Sequence, residues 1–175
     1  MARPVKQGLD YFPLDVNIDI NLQLIEAEFG LTGFAVVVKL LQMIYGERGY
    51  YCEYTREVAL LFGRQIGLGG NAVSEIVTAS IKRGIFDQEM FDKYEILTSA
   101  EIQKTYFEAV NRRRLIEVKN EYLLINCTLY GVNVDKNGVN VCNNSLKSNN
   151  NSQSKINKNK VNYSSYNIEE LDKVE

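Results

Sequence analysis

The stretch GNAVSEIVTASIKR, residues 70–83, carries the side chains with the most to offer chemically. Stepped at about 100° per residue, Asn71, Glu75, Thr78 and Lys82 fall along one line, with Ser74 and Arg83 flanking it. Val73, Ile76, Val77 and Ile81 fall on the opposite side. An asparagine amide can pair twice with the edge of adenine, a threonine can meet the thymine methyl, and a lysine can reach guanine or a phosphate. Such a helix either shows a solvated face to water or lies in the major groove of duplex DNA, and the pattern alone leaves both open. Glu75 accepts from cytosine but repels phosphate. Arg64, Arg3, Lys6 and the run Arg112-Arg113-Arg114 are the further cations that could position a DNA backbone. The triple arginine would serve equally well to oppose the dipole at a helix end.

Other chemistries find little support. The chain has no histidine, and its three cysteines, Cys52, Cys127 and Cys142, form no C-x-x-C pair. Neither a metal site nor a base for a serine or cysteine nucleophile is indicated, so no enzyme activity and no cofactor are expected. The glycines of GLGGNAVS follow a helical pattern and lack the lysine of a phosphate loop, which reads as a helix stop and a tight turn. Charge weighs mildly against nucleic acid: 20 basic residues face 22 acidic ones, a net of −2. No apolar run reaches about 18 residues and no secretory leader is recognisable, so a soluble cytoplasmic protein with no membrane partner is expected.

Several elements must hold residues 70–83 in place. Pro4 and Pro13 keep the first residues extended, where Tyr11, Phe12 and Leu14 call for burial. A helix over 20–29 stops at Gly30, and a second, largely apolar one lies in TGFAVVVKLLQMIYGERG, residues 32–49, as the central buried helix. YYCEY is β-prone. Thr55 caps a helix bearing Val58, Leu61, Phe62 and Ile66. After the helix starting at Asn71, Ile85-Phe86 and Tyr94–Leu97 read as two strands around a charged turn. There Asp87, Glu89, Asp92 and Glu95 outnumber Lys93, which would repel phosphate. Thr98 and Glu101 fit a capping box opening a helix with Ile102, Tyr106, Ala109 and Val110 on one side, and EYLLIN reads as a last strand. The order predicts a mainly α (α+β) fold, a winged helix-turn-helix with extra N-terminal and C-terminal helices.

Residues 1–126 form the expected domain, with 14 Lys and Arg against 17 Asp and Glu. Residues 127–175 hold 12 asparagines in 49 positions, with runs of Ser and Lys. They read as a flexible, disordered tail with too little apolar surface to offset chain entropy.

GLDYFPLDV, IEAEFGLTGFAVVVKLLQMIYGERGYYCEYTREVALLF, GGNAVSEIVTASIKRGIFD and DKYEILTS resemble the N-terminal domain of phage and prophage replisome organisers, over about residues 2–126. That family is related by architecture to the DnaD-like primosome proteins. The resemblance implies a winged-helix module of DNA replication initiation that helps recruit the helicase-loading machinery to an origin. Asn71 to Arg83 would then be the recognition helix and Phe86 to Leu97 the wing. Double-stranded DNA, replication proteins such as a helicase loader, and a second copy of the chain are the partners implied. A protein-assembly module without DNA contact and a transcription regulator are the alternatives.

Overall fold

The computed structural model describes residues 6–113, 115–131 and 141–142, all within the first of two units, residues 1–144. The fold is mainly helical, with five α-helices and short two-stranded pairings among the described residues.

Helix α1 (Ile20–Glu47) starts where the Asp19 carboxylate accepts the Asn21 N–H at 2.9 Å. It is interrupted at Gly30, whose φ of 67° and ψ of −166° lie outside helical space, so the expected stop is a break between two collinear-in-sequence helical runs. Its second run buries Val36, Val37, Leu40, Ile44 and Tyr45, and the whole helix packs mainly on α3. Strand β1 (Cys52–Glu53) follows, then α2 (Arg56–Ile66), capped by Thr55 Oγ1 accepting from Val58 N. A glycine turn leads into α3 (Gly70–Lys82), which packs on α2 as well as α1.

The expected hairpin over Phe86–Leu97 does not form. Residues 88–94 are instead a short helix, α4 (Gln88–Tyr94). Asp87 starts it: its carboxylate accepts the Met90 N–H at 2.9 Å, the bond by which a side chain caps the first turn of a helix. Met90, Phe91 and Tyr94 then turn their partly buried side chains toward the core. Strand β2 (Ile96–Leu97) pairs antiparallel with β1 rather than with Ile85-Phe86, matching Cys52 to Leu97 and Glu53 to Ile96.

The start of α5 (Ala100–Val110) is shifted by one residue from the expected capping box. Ser99 is the cap, its Oγ accepting from Ile102 N. Thr98 is buried, and its hydroxyl donates to the Tyr50 carbonyl at 2.6 Å. Helix α5 buries Ile102, Gln103, Tyr106, Phe107 and Val110, whereas Ala109 is exposed. EYLLIN is not a strand: Asn120–Tyr122 is a 3₁₀ turn, and the chain continues irregularly to a second one at Cys127–Tyr130. Gln103 holds this segment from beneath, with Nε2 donating to the Tyr122 carbonyl at 2.7 Å and Oε1 accepting Leu124 N at 2.8 Å. Strand β3 (Leu115–Ile116) pairs antiparallel with β4 (Val141–Cys142).

The core has an aromatic centre, in which the Tyr50 ring lies 5.7 Å from those of both Tyr106 and Phe107. Phe86 is fully buried beside the β1–β2 pair's Ile96 and Leu97 in the same core, and each such side chain contributes about 1.5–3 kcal/mol. The N-terminal expectation holds only in part. Phe12 stacks on Tyr45 at 4.9 Å, but Tyr11 and Leu14 are exposed.

Candidate functional site

Helix α3 is placed by a close helical corner. Gly67 ends α2 with φ 77°, a left-handed conformation that side chains rarely adopt. A Cβ on Gly63 of α2 would stand 3.0 Å from the Leu68 carbonyl oxygen and 3.5 Å from Val73 Cγ2 of α3. Small residues therefore let the two helices meet, and the glycines are structural. Val73, Ile76, Val77 and Ile81 fix the rotation of α3 by burial, leaving Asn71, Ser74, Glu75, Thr78 and Lys82 exposed along its outer side.

The outward groups are not equally free. Thr78 Oγ1 donates to the Ser74 carbonyl at 2.8 Å, so its proton is held within the helix while its methyl and lone pairs face out. Lys82 is exposed and has no ion pair among the described residues. Arg83, just past the helix, is paired with Glu28 of α1, and its Nε is buried without a partner among the described residues. Arg64, in the last turn of α2, is exposed.

Lys6 and Arg113 are engaged elsewhere. Lys6 pairs with Asp10, whose carboxyl is held below the usual range first by that hydrogen bond and then by the ammonium charge. Arg113 is a structural staple: it donates to the carbonyls of Lys6 at 2.9 Å, Gln7 at 2.7 Å and Gly8 at 2.8 Å. That guanidinium ties the start of the chain to the end of α5 and is not free for a phosphate. Arg112 is exposed, and Arg3 and Arg114 lie outside the described residues. The structure thus gathers Asn71, Ser74, Thr78 and Lys82 on one helix face and does not add Arg113 to it.

Arg56 was not singled out by the sequence. It opens α2 and, with Thr55, Leu60, Asn71, Ser74, Phe91 and Glu95, lines a groove of about 280 Å³ against the first half of α3. The Thr55 cap preceding it was the available signal, because a cap fixes where the next residue emerges. The groove also carries the principal electrostatic objection. Glu95 lines it, and the adjoining α4 bears Glu89 and Asp92 against Lys93 alone. Among the described residues no group of three or more His, Cys, Asp or Glu could hold a metal ion, and no helix is long and apolar enough to cross a membrane.

Comparison with known proteins adds a lineage. Residues 11–102 match the family model described as Lin1244/Lin1753-like, N-terminal. Over 128 residues, 72% of this chain, the sequence is 43% identical to a phage-related protein, Lin1244/Lin1753, of Listeria innocua serovar 6a. The match spans 42% of that curated relative's length. No solved structure matches the chain.

Proposed function

Because the chain belongs to the phage-associated Lin1244/Lin1753-like N-terminal family, we propose that it is a non-enzymatic, cytoplasmic DNA-binding and assembly module of phage-type replication initiation. In this reading the fold is a winged-helix variant. Helices α2 and α3 form the helix-turn-helix, the β1–β2 pair is the sheet, and α4 stands where a hairpin wing would be. Helix α3 enters the major groove. Asn71 reads adenine, the Thr78 methyl meets thymine, and Lys82 reaches guanine or phosphate, while Arg56 and Arg64 position the backbone. The resemblance to replisome organisers supplies the replication context. The observation that carries the proposal is the exposed polar side of α3, set by four buried apolar residues behind it.

A second reading, a protein-assembly module that contacts a helicase loader or another copy of itself, is favoured by a different observation. Leu60 and Leu61 of α2 are 56% and 70% exposed, and Leu60 shares its groove with Phe91 of the acidic α4. A transcription regulator would share the fold and differ in its target.

Fluorescence anisotropy with duplex DNA at low and moderate salt tests the first reading. Thr78→Ala combined with Lys82→Ala is expected to weaken binding about tenfold or more. Unchanged affinity would remove α3 from the interface. Light scattering that shows a dimer indifferent to DNA, and lost on Leu61→Glu, would establish the second reading instead.

A further inference from the structure

We propose that the cleft walled by Gln7, Arg48, Tyr50, Tyr51, Glu117 and Lys119 binds a phosphate group carried on an apolar body, as a nucleotide presents it. The site uses no residue of α3 and stands whether or not α3 reads DNA.

The cleft holds about 170 Å³, room for one compact group. Its polar lining is lopsided: the acceptor oxygens of Gln7 and Tyr50 are already engaged, while the side-chain hydrogens of the same two residues are not. Gln7 Oε1 accepts from Glu117 N at 3.1 Å, and the Gln7 carbonyl accepts from the Tyr106 hydroxyl and from Arg113. The Tyr50 carbonyl takes the Thr98 hydroxyl, and the Tyr50 hydroxyl oxygen takes Lys119 N at 2.8 Å.

Against this, Gln7 Nε2 is buried without any partner among the described residues. The Tyr50 hydroxyl donates to no acceptor among them either, and burial raises its pKa, so it keeps its proton. Arg48 and Lys119 have no ion pair among the described residues, although Lys119 Nζ donates to the Tyr122 hydroxyl at 3.5 Å and lies 4.7 Å from that ring's centroid. Burial works against the Lys119 ammonium, but Tyr51 and Tyr122 beside it outweigh that and hold its pKa above the ordinary value. Four donors, two of them cationic, therefore line one small space. The exposed Glu117 carboxylate is the one charge of opposite sign in the lining.

A buried donor left unmet is unfavourable, and a site that sets two of them, Gln7 Nε2 and the Tyr50 hydroxyl, beside two exposed cations suits a ligand that brings only acceptors. A phosphate offers more acceptor oxygens than a carboxylate, and the Tyr50, Tyr51 and Val118 walls suit an apolar body attached to it. The geometry is held in advance. Arg113 fixes the carbonyls of residues 6–8, and Leu9 N donates to the Tyr45 carbonyl at 2.7 Å. Gly8 passes so close to α1 that a Cβ there would stand 1.9 Å from the Gly46 carbonyl oxygen. Gln7 is thereby pinned at the cleft.

The test is a heteronuclear NMR titration of the full chain with inorganic phosphate, thymidine monophosphate and a short oligothymidylate. The side-chain amide of Gln7 and the backbone amide of Lys119 are expected to shift together, with the monophosphate acting at lower concentration than phosphate. Arg48→Gln with Lys119→Gln, both at exposed positions, should weaken binding roughly tenfold while leaving the rest of the spectrum in place. An oligothymidylate that competes with the monophosphate identifies a single strand as the source, and one that does not identifies a free nucleotide. No shift with any of the three, or shifts of equal affinity in the double variant, would overturn the proposal.

Discussion

Arg113→Met is the most discriminating single change in the protein. It keeps the side-chain stem and removes three donors, those to the carbonyls of Lys6, Gln7 and Gly8. A hydrogen bond from a charged group contributes about 1.5–3 kcal/mol when well shielded. Arg113 is only partly buried, and the Gln7 carbonyl keeps the Tyr106 hydroxyl at 3.0 Å, so the full sum of three does not apply. A net loss of about 2–4 kcal/mol is expected once water replaces part of what is removed. For a folded body of this size, each kcal/mol lowers Tm by roughly 3–5 °C. Thermal denaturation followed by circular dichroism should therefore show a fall of about 6–20 °C. Arg113→Lys should recover less than half of it, because one ammonium cannot span three successive carbonyls as a planar fork does. Duplex affinity measured well below the new Tm should be unchanged. A Tm shift smaller than about 2 °C, accompanied by weakened DNA binding, would refute the staple and return Arg113 to the role of a phosphate contact.

Two further outcomes follow from buried groups. Burial chiefly raises Cys52 from 9.0 to about 12, and Tyr45, Tyr54 and Tyr106 each from 10.0 to about 12. The unfolded chain therefore loses these protons first. Stability should be level through neutral pH and fall as pH rises from 9.0 toward about 12, with tyrosinate absorbance appearing together with loss of helix; tyrosinate growth that precedes unfolding would contradict it. Gln103→Leu should lower stability by about 2–4 kcal/mol in urea denaturation, since it strands Leu124 N and the Tyr122 carbonyl inside the fold; a neutral result would mean that water reaches both.

The helices that frame the candidate site were legible because their signals are local. Val73, Ile76, Val77 and Ile81 recur at helical spacing, Thr55 precedes its helix, and Gly30 interrupts one. Where a partner distant in sequence decides, local pattern does not show it. Ile96 and Leu97 were recognisably β-prone, but their partner is Cys52-Glu53 and not Ile85-Phe86. The Asp87 cap, with Met90, Phe91 and Tyr94 spaced for one helical face, was the overlooked local sign of α4. Thr98 looked like a cap because no local pattern shows that its hydroxyl belongs to the Tyr50 carbonyl, 48 residues away. The same limit applies to the cations. Composition counted Arg83 and Arg113 as available charge, whereas Glu28 holds one and three main-chain carbonyls hold the other.

The interruption of α1 at Gly30 has a mechanical consequence. The arm before it, residues 20–29, is fastened to the body mainly through buried Leu22 and Ile25 and through the Glu28–Arg83 pair. A Cβ at residue 30 would meet nothing within 4 Å, so crowding is not what forces the bend; the left-handed φ is, and only glycine adopts it without strain. Hydrogen exchange is expected to show the amides of this arm opening independently of the second run of α1. Any swing would carry Glu28 away from Arg83, coupling the freedom of the first helix to the charge displayed at the end of α3.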